Sequence, residues 1–457
     1  MISISAKITK KIENNFRKFK KLTKSQNRNI KEFMKGLLLT KTCFLSEIGR
    51  KISPENNDRK NIARYRNMLE KTDCFAIIET HILSKKKWLN NGKGLVNPNL
   101  ILVDGGEILK ANCPKQFQTE ETQKMQYCCG IADGSEKHKP AWGYKMINIS
   151  VHTPHNERTH IVSQHLFSSN APEYNSDWAE QREQLKLVQK IIDPENSILI
   201  EDSIGDDQKR IRFYHNDMKT NFIVRSQNKR KYTANFGGDR LKLTFKEIGD
   251  NADYEEENTR TYFDKKVQKK VKSRIAYFQV EHEDLTDEYG ERLPLFLVLI
   301  KSEAYDEPMA LVTSIEPRTS EEAWQIFFWY KKRWEVEKVY RDIKQKFKLE
   351  SGLIRSYKAW QTLVVLTMIA WEIMNDLARD VRDFLGLCYS IFEDWLKKKQ
   401  QEAVTHLNLL DFLREFLSGY RQPTSHHFLS WKIFLHRFHQ PVNQLSLFDN
   451  RRKVVNL

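Results

Sequence analysis

The sequence predicts an α/β fold, and three features of the chain support that prediction. Apolar runs at residues 101–103 and 198–200 are each followed by an acid, the form of a buried strand whose carboxyl end faces a pocket. Segments with helical apolar spacing, such as 178–192 and 321–348, lie between and after these runs. Residues 231–316 alternate polar and apolar side chains, which is typical of strands. Strands mixed with helices in this way indicate a layered α/β core.

The charge of the chain favours an anionic partner. It has 457 residues and a formal net charge of +16, and residues 1–35 alone hold eleven Lys or Arg against two Glu. Clustered cations gain free energy by displacing counterions from phosphates, so nucleic acid is the expected partner. No segment reaches the roughly 20 apolar residues of a membrane span, and no apolar signal core follows the basic start. We therefore expect no membrane association and a cytoplasmic location.

The cysteines agree with that location. They show neither a C-x-x-C pair nor zinc-ligand spacing, so we expect reduced thiols. The six residues are Cys43, Cys74, Cys113, Cys128, Cys129 and Cys388.

The chain divides into five predicted regions. Residues 1–95 form a basic helical domain, in which helices at 44–52 and 60–69 flank the breaker Ser53–Asn57 in a helix-turn-helix layout. Its second helix would present Lys60, Arg64 and Arg66 to DNA, although a solvated helix can be equally basic. The other four regions are the first part of an α/β core at 96–230, a β-rich insertion without helical stretches at 231–316, the longest helix of the chain within 317–356, and a helical region at 357–457 suited to dimerisation.

Two strands in the first part of the core end in candidate catalytic acids. Asp104 follows Ile101–Val103, and Asp202 follows Ile198–Glu201. The remaining predicted strands of this part are 144–151, 159–167 and 221–225. An Asp at a strand end is commonly only a turn former, so these two residues alone are a weak signal. Glu201 remains an alternative to Asp202, because strand neighbours point to opposite faces.

The helix at 321–348 carries a third acid on a charged face. At 100° per residue, Tyr330, Arg333, Glu337 and Lys344 fall on one side of the helix, within about 60° of one another. An apolar stripe lies beside them, formed by Trp329, Val336, Tyr340, Ile343 and Phe347. Packing this stripe on the sheet would turn Glu337 towards the sheet edge, whereas the alternative is a solvated face of ion pairs.

The spacing Tyr330-x2-Arg333-x3-Glu337-x6-Lys344 resembles the Y-R-E-K signature of bacterial cut-and-paste DDE transposases of the insertion-sequence-4 type. The strands ending at Asp104 and Asp202, and the segment Asn221–Ser226, are similar to the corresponding strands of that family. The resemblance covers about residues 100 to 360. It implies a ribonuclease-H-like mixed-sheet core, interrupted by the β-rich insertion, with helical regions at both ends.

The resemblance also implies roles for individual residues. Asp104, Asp202 and Glu337 would be the catalytic ligands of two Mg²⁺ ions, with Mn²⁺ as a substitute. Tyr330, Arg333, Lys344 and Arg225 would contact DNA. The implied partners are double-stranded DNA, as terminal inverted repeats and as target, and a second copy of the chain, acting at the nucleoid. Hard Mg²⁺ prefers oxygen ligands, so three carboxylates suit this chemistry.

The sequence departs from the family in two places. Ser203 follows Asp202 where the family commonly has arginine, and residues 231–316 contain no tryptophan to stack a flipped base. Tyr277, Phe278 or Phe296 are candidate substitutes. Two other functions remain open, a catalytically inactive or domesticated DNA-binding protein and a metal nuclease without strand joining.

A group of histidines is a weaker candidate for a site. His152, His155, His160 and His165 lie on a predicted hairpin without consistent facing. We therefore expect surface or DNA-facing side chains and not a metal site.

Overall fold

The architecture described here is that of a computed structural model. It describes residues 4–385 except 18, 20–21, 56, 90–96, 111–125, 137–138, 154–156, 228, 237, 255, 265, 288 and 353. The predicted helices between 386 and 457 lie outside the described residues. By its internal contacts the chain forms two units, one of Asn15–Ala370 and one of Met1–Asn14 with Trp371–Leu457. Every site discussed below lies in the first unit.

Five helices precede the sheet: α1 (Ile4–Phe16), α2 (Lys24–Thr40), α3 (Leu45–Ile52), α4 (Asp58–Lys71) and α5 (Cys74–Leu89). Helices α3 and α4 lie where the helix-turn-helix pattern predicts them. The Asn57 side chain caps α4 by accepting a hydrogen bond from the Arg59 amide at 2.8 Å. Lys60 and Arg66 are exposed on α4, whereas Arg64 is paired with Glu32 at 3.2 Å.

Among its described residues, the first part of the core contains six strands and two α-helices. They are β1 (Asn99–Leu109), β2 (Cys129–Glu136), β3 (Lys139–Thr153), β4 (Arg158–Phe167), α6 (Asp177–Gln189), β5 (Ser197–Glu201), α7 (Gln208–Arg212) and β6 (Asn221–Arg225). The predicted strands are confirmed, and the central ones are parallel, with β5 lying between β1 and β6. Strand β3 pairs antiparallel with β1 on its other side. The fold is therefore mixed α/β, as expected.

The described residues of the second half begin with six more strands, and all six belong to the same sheet. These elements are β7 (Lys231–Phe236), β8 (Asp239–Thr244), α8 (Phe245–Asp250), β9 (Arg260–Asp264), β10 (Lys269–Glu281), β11 (Leu295–Ser302) and β12 (Met309–Thr313). Strand β12 pairs with β6, and the order continues β12-β11-β10-β7-β8, with β9 paired to β10. The β-rich segment predicted at 231–316 is thus hydrogen-bonded directly to the core.

The expectation that residues 231–316 lack a helix was wrong. Helix α8 starts where the alternation at 240–246 predicted a continued strand. The reason is a capping box, in which the Thr244 hydroxyl accepts from the Glu247 amide and the Glu247 carboxylate accepts from the Thr244 amide.

The prediction of a single helix at 321–348 was also wrong. The structure has α9 (Ser320–Lys331) and α10 (Trp334–Lys346), followed by α11 (Tyr357–Leu385). Between α9 and α10 the amides of Arg333 and Val336 bond three residues back, to Tyr330 and Arg333. This tighter turn has about 3.0 residues per turn, so it rotates α10 relative to a continuous helical wheel. With 29 residues, α11 is the longest of the described helices.

The face of the sheet that α9 covers carries a hydrophobic core of this unit. Helix α9 contributes Trp324, Phe327 and Trp329, which pack on alternate residues of the central strands, among them Leu100, Leu102, Ile198 and Ile200. The predicted apolar stripe of α10 is buried as expected, since Val336, Ile343 and Phe347 are 1% exposed or less. None of the described helices has the length and apolarity needed to cross a membrane.

Candidate active site

Strand register brings Asp104 and Asp202 to the same level of the sheet. Leu102 of β1 lies beside Ile200 of β5 in a parallel pair, so the residue two positions on in each strand lies at matching height. Side chains alternate between faces, and Leu102 and Ile200 both pack beneath α9. Asp104 and Asp202 therefore project from the face that carries α9 and α10.

Alternation sends Glu201 to the other face. Its carboxylate is 4% exposed and accepts hydrogen bonds from Arg210 at 2.7 Å, from Gln181 at 2.9 Å and from the Tyr214 hydroxyl. Burial raises the pKa of Glu201, and the Arg210 guanidinium opposes that rise. Glu201 is thus committed to a buried network with α6 and α7, and Asp202 is the acid on the side of Asp104.

Arg333, in the turn between α9 and α10, joins two of the three candidate ligands. Its Nη1 donates to Oδ1 of Asp104 at 2.8 Å, and its Nη2 lies 2.6 Å from Oε1 of Glu337. The guanidinium is largely buried, with 11% of its side chain exposed. Burial alone would lower the pKa of Arg333, but Tyr330 and the surrounding acids outweigh burial and raise it.

Asp104 sits in an excess of negative charge. Its pKa is raised to about 7, first by burial and then by the charges of Glu337, Asp202 and Glu201, against the opposing effect of Arg333. A cation placed beside such a carboxyl group stabilises its ionised form. Chemically, three carboxylates on one face are a hard-oxygen donor set that fits a divalent ion.

The arrangement of these acids has Arg333 between them. In the part of the chain that the structure describes, no three His, Cys, Asp or Glu side chains are grouped closely enough to hold a metal ion together. Because Arg333 contacts both Asp104 and Glu337, an ion bound by both carboxylates requires the guanidinium to move. The donor set fits the ion, and Arg333 is the group that the ion would replace.

The four predicted DNA-contacting residues are placed differently from one another. Tyr330 is 5% exposed and borders Arg333 and Arg225, and burial raises its pKa. Arg225 is exposed at the end of β6, the neighbour of the Asp202 strand.

Lys344 contacts β1 and Glu350. Its Nζ donates to the Glu107 carbonyl at 3.1 Å and pairs with Glu350 at 2.8 Å. The Tyr340 hydroxyl donates to the same carbonyl at 2.5 Å. These two side chains attach α10 to β1 just beyond Asp104, a positioning contact that the helical wheel did not suggest.

Gly106 makes that attachment possible. A Cβ at this position would lie 2.7 Å from the Tyr340 ring and 2.8 Å from Nδ2 of Asn148, whereas a Cβ at Gly105 would meet nothing within 4 Å. The Gly105-Gly106 pair after Asp104 was visible in the sequence, but only the second glycine is required by packing.

The three of these histidines that the structure describes do not face solvent, so the expectation of surface side chains was wrong for them. His152, His160 and His165 are each 3% exposed or less, within the β3–β4 pair, and His155 lies outside the described residues. His152 contacts the Thr159 hydroxyl at 2.9 Å, and His165 contacts Glu180 at 2.8 Å. Their burial follows from helices that cover this hairpin, which alternation alone could not reveal.

The remaining sequence candidates lie away from the acids or carry a simple contact. The Ser203 carbonyl accepts from the Gln227 side chain at 2.9 Å. Tyr277, Phe278 and Phe296 are half-buried on β10 and β11. Cys43, Cys74, Cys128 and Cys129 are free thiols, as expected, while Cys113 and Cys388 lie outside the described residues.

Part of the chain that includes most of this site matches the model of a known protein family. A family model described as "Transposase DDE domain" matches residues 115–373, more than half of the chain. The match contains Asp202, Arg333 and Glu337 and begins after Asp104. No curated protein matches the chain.

Proposed function

Because the chain belongs to the transposase DDE-domain family, we propose that it is a transposase that cuts DNA at the ends of a mobile element and joins those ends to target DNA. The observation that carries the proposal is the meeting of Asp104 and Glu337 on one guanidinium, with Asp202 level with Asp104 on the neighbouring strand. Three acids far apart in sequence are needed at one place only if that place has a chemical task.

In this proposal Asp104, Asp202 and Glu337 hold divalent ions, Mg²⁺ or Mn²⁺, two at a time. Such ions activate an oxygen nucleophile and stabilise the departing oxygen of a phosphodiester. The fold that supports this chemistry is a ribonuclease-H-like core, and the parallel β1-β5-β6 arrangement with acids at the strand ends supports that assignment.

Arg333 would have one role before metal and DNA bind and another afterwards. Before metal and DNA bind, Arg333 neutralises Asp104 and Glu337 and keeps their side chains directed at one point. A divalent ion held by Asp104 and Glu337 would neutralise these carboxylates in its place, and the Arg333 guanidinium would then donate to a phosphate of the bound strand in a two-pronged contact. Arg225, exposed beside the same strand ends, and the Tyr330 hydroxyl are the other proposed DNA contacts. Lys344 would act through its attachment to β1.

The rest of the chain supplies substrate and assembly. The basic helices within residues 1–95 would bind the inverted repeats at the element ends, with Lys60 and Arg66 exposed on α4. A dimer would bring two ends together, and the region at 357–457 is the proposed contact between copies.

Cleavage of end-containing DNA tests the proposal. Purified protein with Mg²⁺ and a duplex carrying the element's own ends should produce cuts with 3′ hydroxyl groups. These cuts should vanish in Asp104→Ala, Asp202→Ala and Glu337→Ala. Glu335→Ala is the matched control, since Glu335 lies on the same helix but pairs with Lys338 at 2.7 Å.

Three results would each overturn the proposal. Specific binding without cutting by the unmodified chain would indicate the inactive DNA-binding alternative. Cutting that persists in the Asp104→Ala and Glu337→Ala variants would remove the carboxylates from the mechanism. Cutting that never proceeds to joining of a donor end would indicate a nuclease.

A further inference from the structure

The β9–β10 hairpin carries a dense group of cations that the candidate active site does not use. Residues 265–274 contain six Lys or Arg and no acid. Lys270 lies opposite Phe263 and Lys272 lies opposite Thr261 in the antiparallel pair. On the next strand, Lys301 lies opposite Arg274. We call Lys270, Lys272, Arg274 and Lys301, with Phe263 among them, the basic hairpin surface.

This surface faces away from the carboxylates. Between its cations on β10 lie Val271, Ser273 and Ile275, all buried, and Ile275 belongs to the core under α9. Successive residues of a strand point to opposite faces, so Lys270, Lys272 and Arg274 project from the side of the sheet opposite α9. Asp104 and Asp202 project from the α9 side, so a DNA segment at the acids does not lie on the basic hairpin surface.

Most of this positive charge is not neutralised within the protein. Lys270 and Lys272 are exposed and form no ion pair with any residue in the described ranges. Arg274 pairs with the exposed Glu256 at 3.0 Å, and Lys301 lies over the Tyr254 ring at 5.4 Å. Glu303, bonded through its amide to the Lys272 carbonyl, is a further acid beside the surface.

The surface also exposes an aromatic ring. Phe263 is 51% exposed between the lysines, although a large apolar side chain on a strand is ordinarily covered. Lysines and arginines clustered on one face of a fold are typical of nucleic-acid-binding surfaces. Lysines two residues apart on a strand are separated by about 7 Å, so each can reach a different phosphate.

We propose that the basic hairpin surface holds a second stretch of duplex DNA, distinct from the stretch at the carboxylates, through its phosphates and without regard to sequence. This inference rests on the proposed function, because it takes DNA as the partner. Lysine ammonium groups act as point charges on phosphates, and such contacts carry no sequence information. Lysines also protect exposed sheet edges from aggregation, and the experiment separates that role from DNA binding.

Salt dependence of binding is the direct test. Affinity for a fluorescent duplex of unrelated sequence is measured by anisotropy in EDTA, between about 50 and 200 mM salt. Each phosphate contact contributes about 0.9 to the slope of log affinity against log salt concentration, so Lys270→Gln/Lys272→Gln should flatten that slope by about 2. The loss should be equal for a duplex that carries an element end.

Two variants serve as controls. Arg182→Gln/Lys186→Gln removes the same charge from exposed positions on α6 and should leave the slope unchanged. Lys270→Arg/Lys272→Arg keeps the charge and should keep the slope, which shows that the glutamine variant acts through charge and not through misfolding.

Several outcomes would overturn the inference. An unchanged slope in the glutamine variant would do so, and if that variant also aggregates, the lysines only protect the sheet edge. If the slope flattens equally in the α6 control, the change reflects the net charge of the protein and not a contact at the basic hairpin surface. Cleavage by the unmodified protein is measured in parallel. If it cuts element ends while the slope is unchanged, this inference alone fails, whereas a flattened slope without any cutting rejects only the proposed function.

Discussion

Asp104 of β1 and Glu337 of α10 share a single guanidinium, with Arg333 2.8 Å from the first carboxylate and 2.6 Å from the second. The contact fixes the distance between strand and helix at the point where the proposed chemistry occurs. It also places a permanent cation where a divalent ion would bind.

Removing Arg333 should therefore strengthen metal binding. In Arg333→Gln the ion no longer competes with a guanidinium, and we expect the apparent Kd for Mn²⁺ to fall about tenfold, equivalent to ~1.4 kcal/mol. Thermal unfolding across a Mn²⁺ titration measures this, since a ligand of the folded state raises Tm. Lys338→Gln, a neighbouring cation paired with Glu335, should bind Mn²⁺ like the unmodified protein. Equal or weaker Mn²⁺ binding in Arg333→Gln would show that the guanidinium does not compete.

The neighbours Glu201 and Asp202 should respond in opposite ways to the same change. Glu201→Gln leaves Arg210 buried without a counter-charge, and loss of one partner of a buried pair costs about 3–5 kcal/mol of unfolding free energy. Asp202→Asn should leave stability near that of the unmodified protein and abolish cleavage. Urea unfolding and the cleavage assay measure the two effects. The assignment of faces is wrong if Glu201→Gln unfolds normally and Asp202→Asn still cuts.

The two adjacent glycines after Asp104 should differ in tolerance. Gly106→Ala forces a methyl group to within 2.7 Å of the Tyr340 ring, and such overpacking costs about 1–3 kcal/mol. We expect Gly106→Ala to lower stability and to slow cleavage as α10 shifts from β1. Gly105→Ala meets open space and is the control. Similar Tm values for the two variants would argue against the close approach of α10.

His152 should make the protein sensitive to mild acid. Burial, reinforced by Lys332, lowers its pKa to about 4, whereas an unfolded histidine titrates near 6.5. Between these values the unfolded chain binds more protons, so the free energy of unfolding falls as pH drops from about 6.5 towards 4. From pH 7 to pH 5, the unmodified protein should lose about 2 kcal/mol more than His152→Gln. Urea unfolding at both pH values measures the difference, and parallel losses would contradict the assignment.

The sequence predicted that the two strand-end aspartates would face one pocket, and the strand register places them on one face of the sheet. Asp104 and Asp202 share a face because each lies two residues beyond a buried residue of a parallel pair, and a period of two is set by backbone geometry. The choice between Asp202 and Glu201 could not be made in advance, because it depends on which face α9 covers. Glu201 faces α6 and α7 because Gln181 and Arg210 bind its carboxylate, and these contacts form only in the folded chain.

The break between α9 and α10 left no sign in the sequence. Lys332 and Arg333 are good helix formers, and neither glycine nor proline is present to mark the turn. The turn coincides with the contact of Arg333 to Asp104, which is a tertiary interaction. Helix α8 is different, since Thr244-x-x-Glu247 is a capping-box sequence and could have predicted the start of that helix. Burial of the histidines, in turn, depends on helices distant in sequence.

Strand β6 bonds to β5 on one side and to β12 on the other, so the strand of Asp202 and the lysine-bearing hairpin are parts of one hydrogen-bonded ladder. Adjacent strands of such a ladder are rotated relative to one another by a right-handed twist. A force that bound DNA exerts on the outer strands would then rotate the strands that carry the carboxylates slightly. Binding of one DNA segment at the basic hairpin surface would in this way change the alignment of a second segment at the carboxylates.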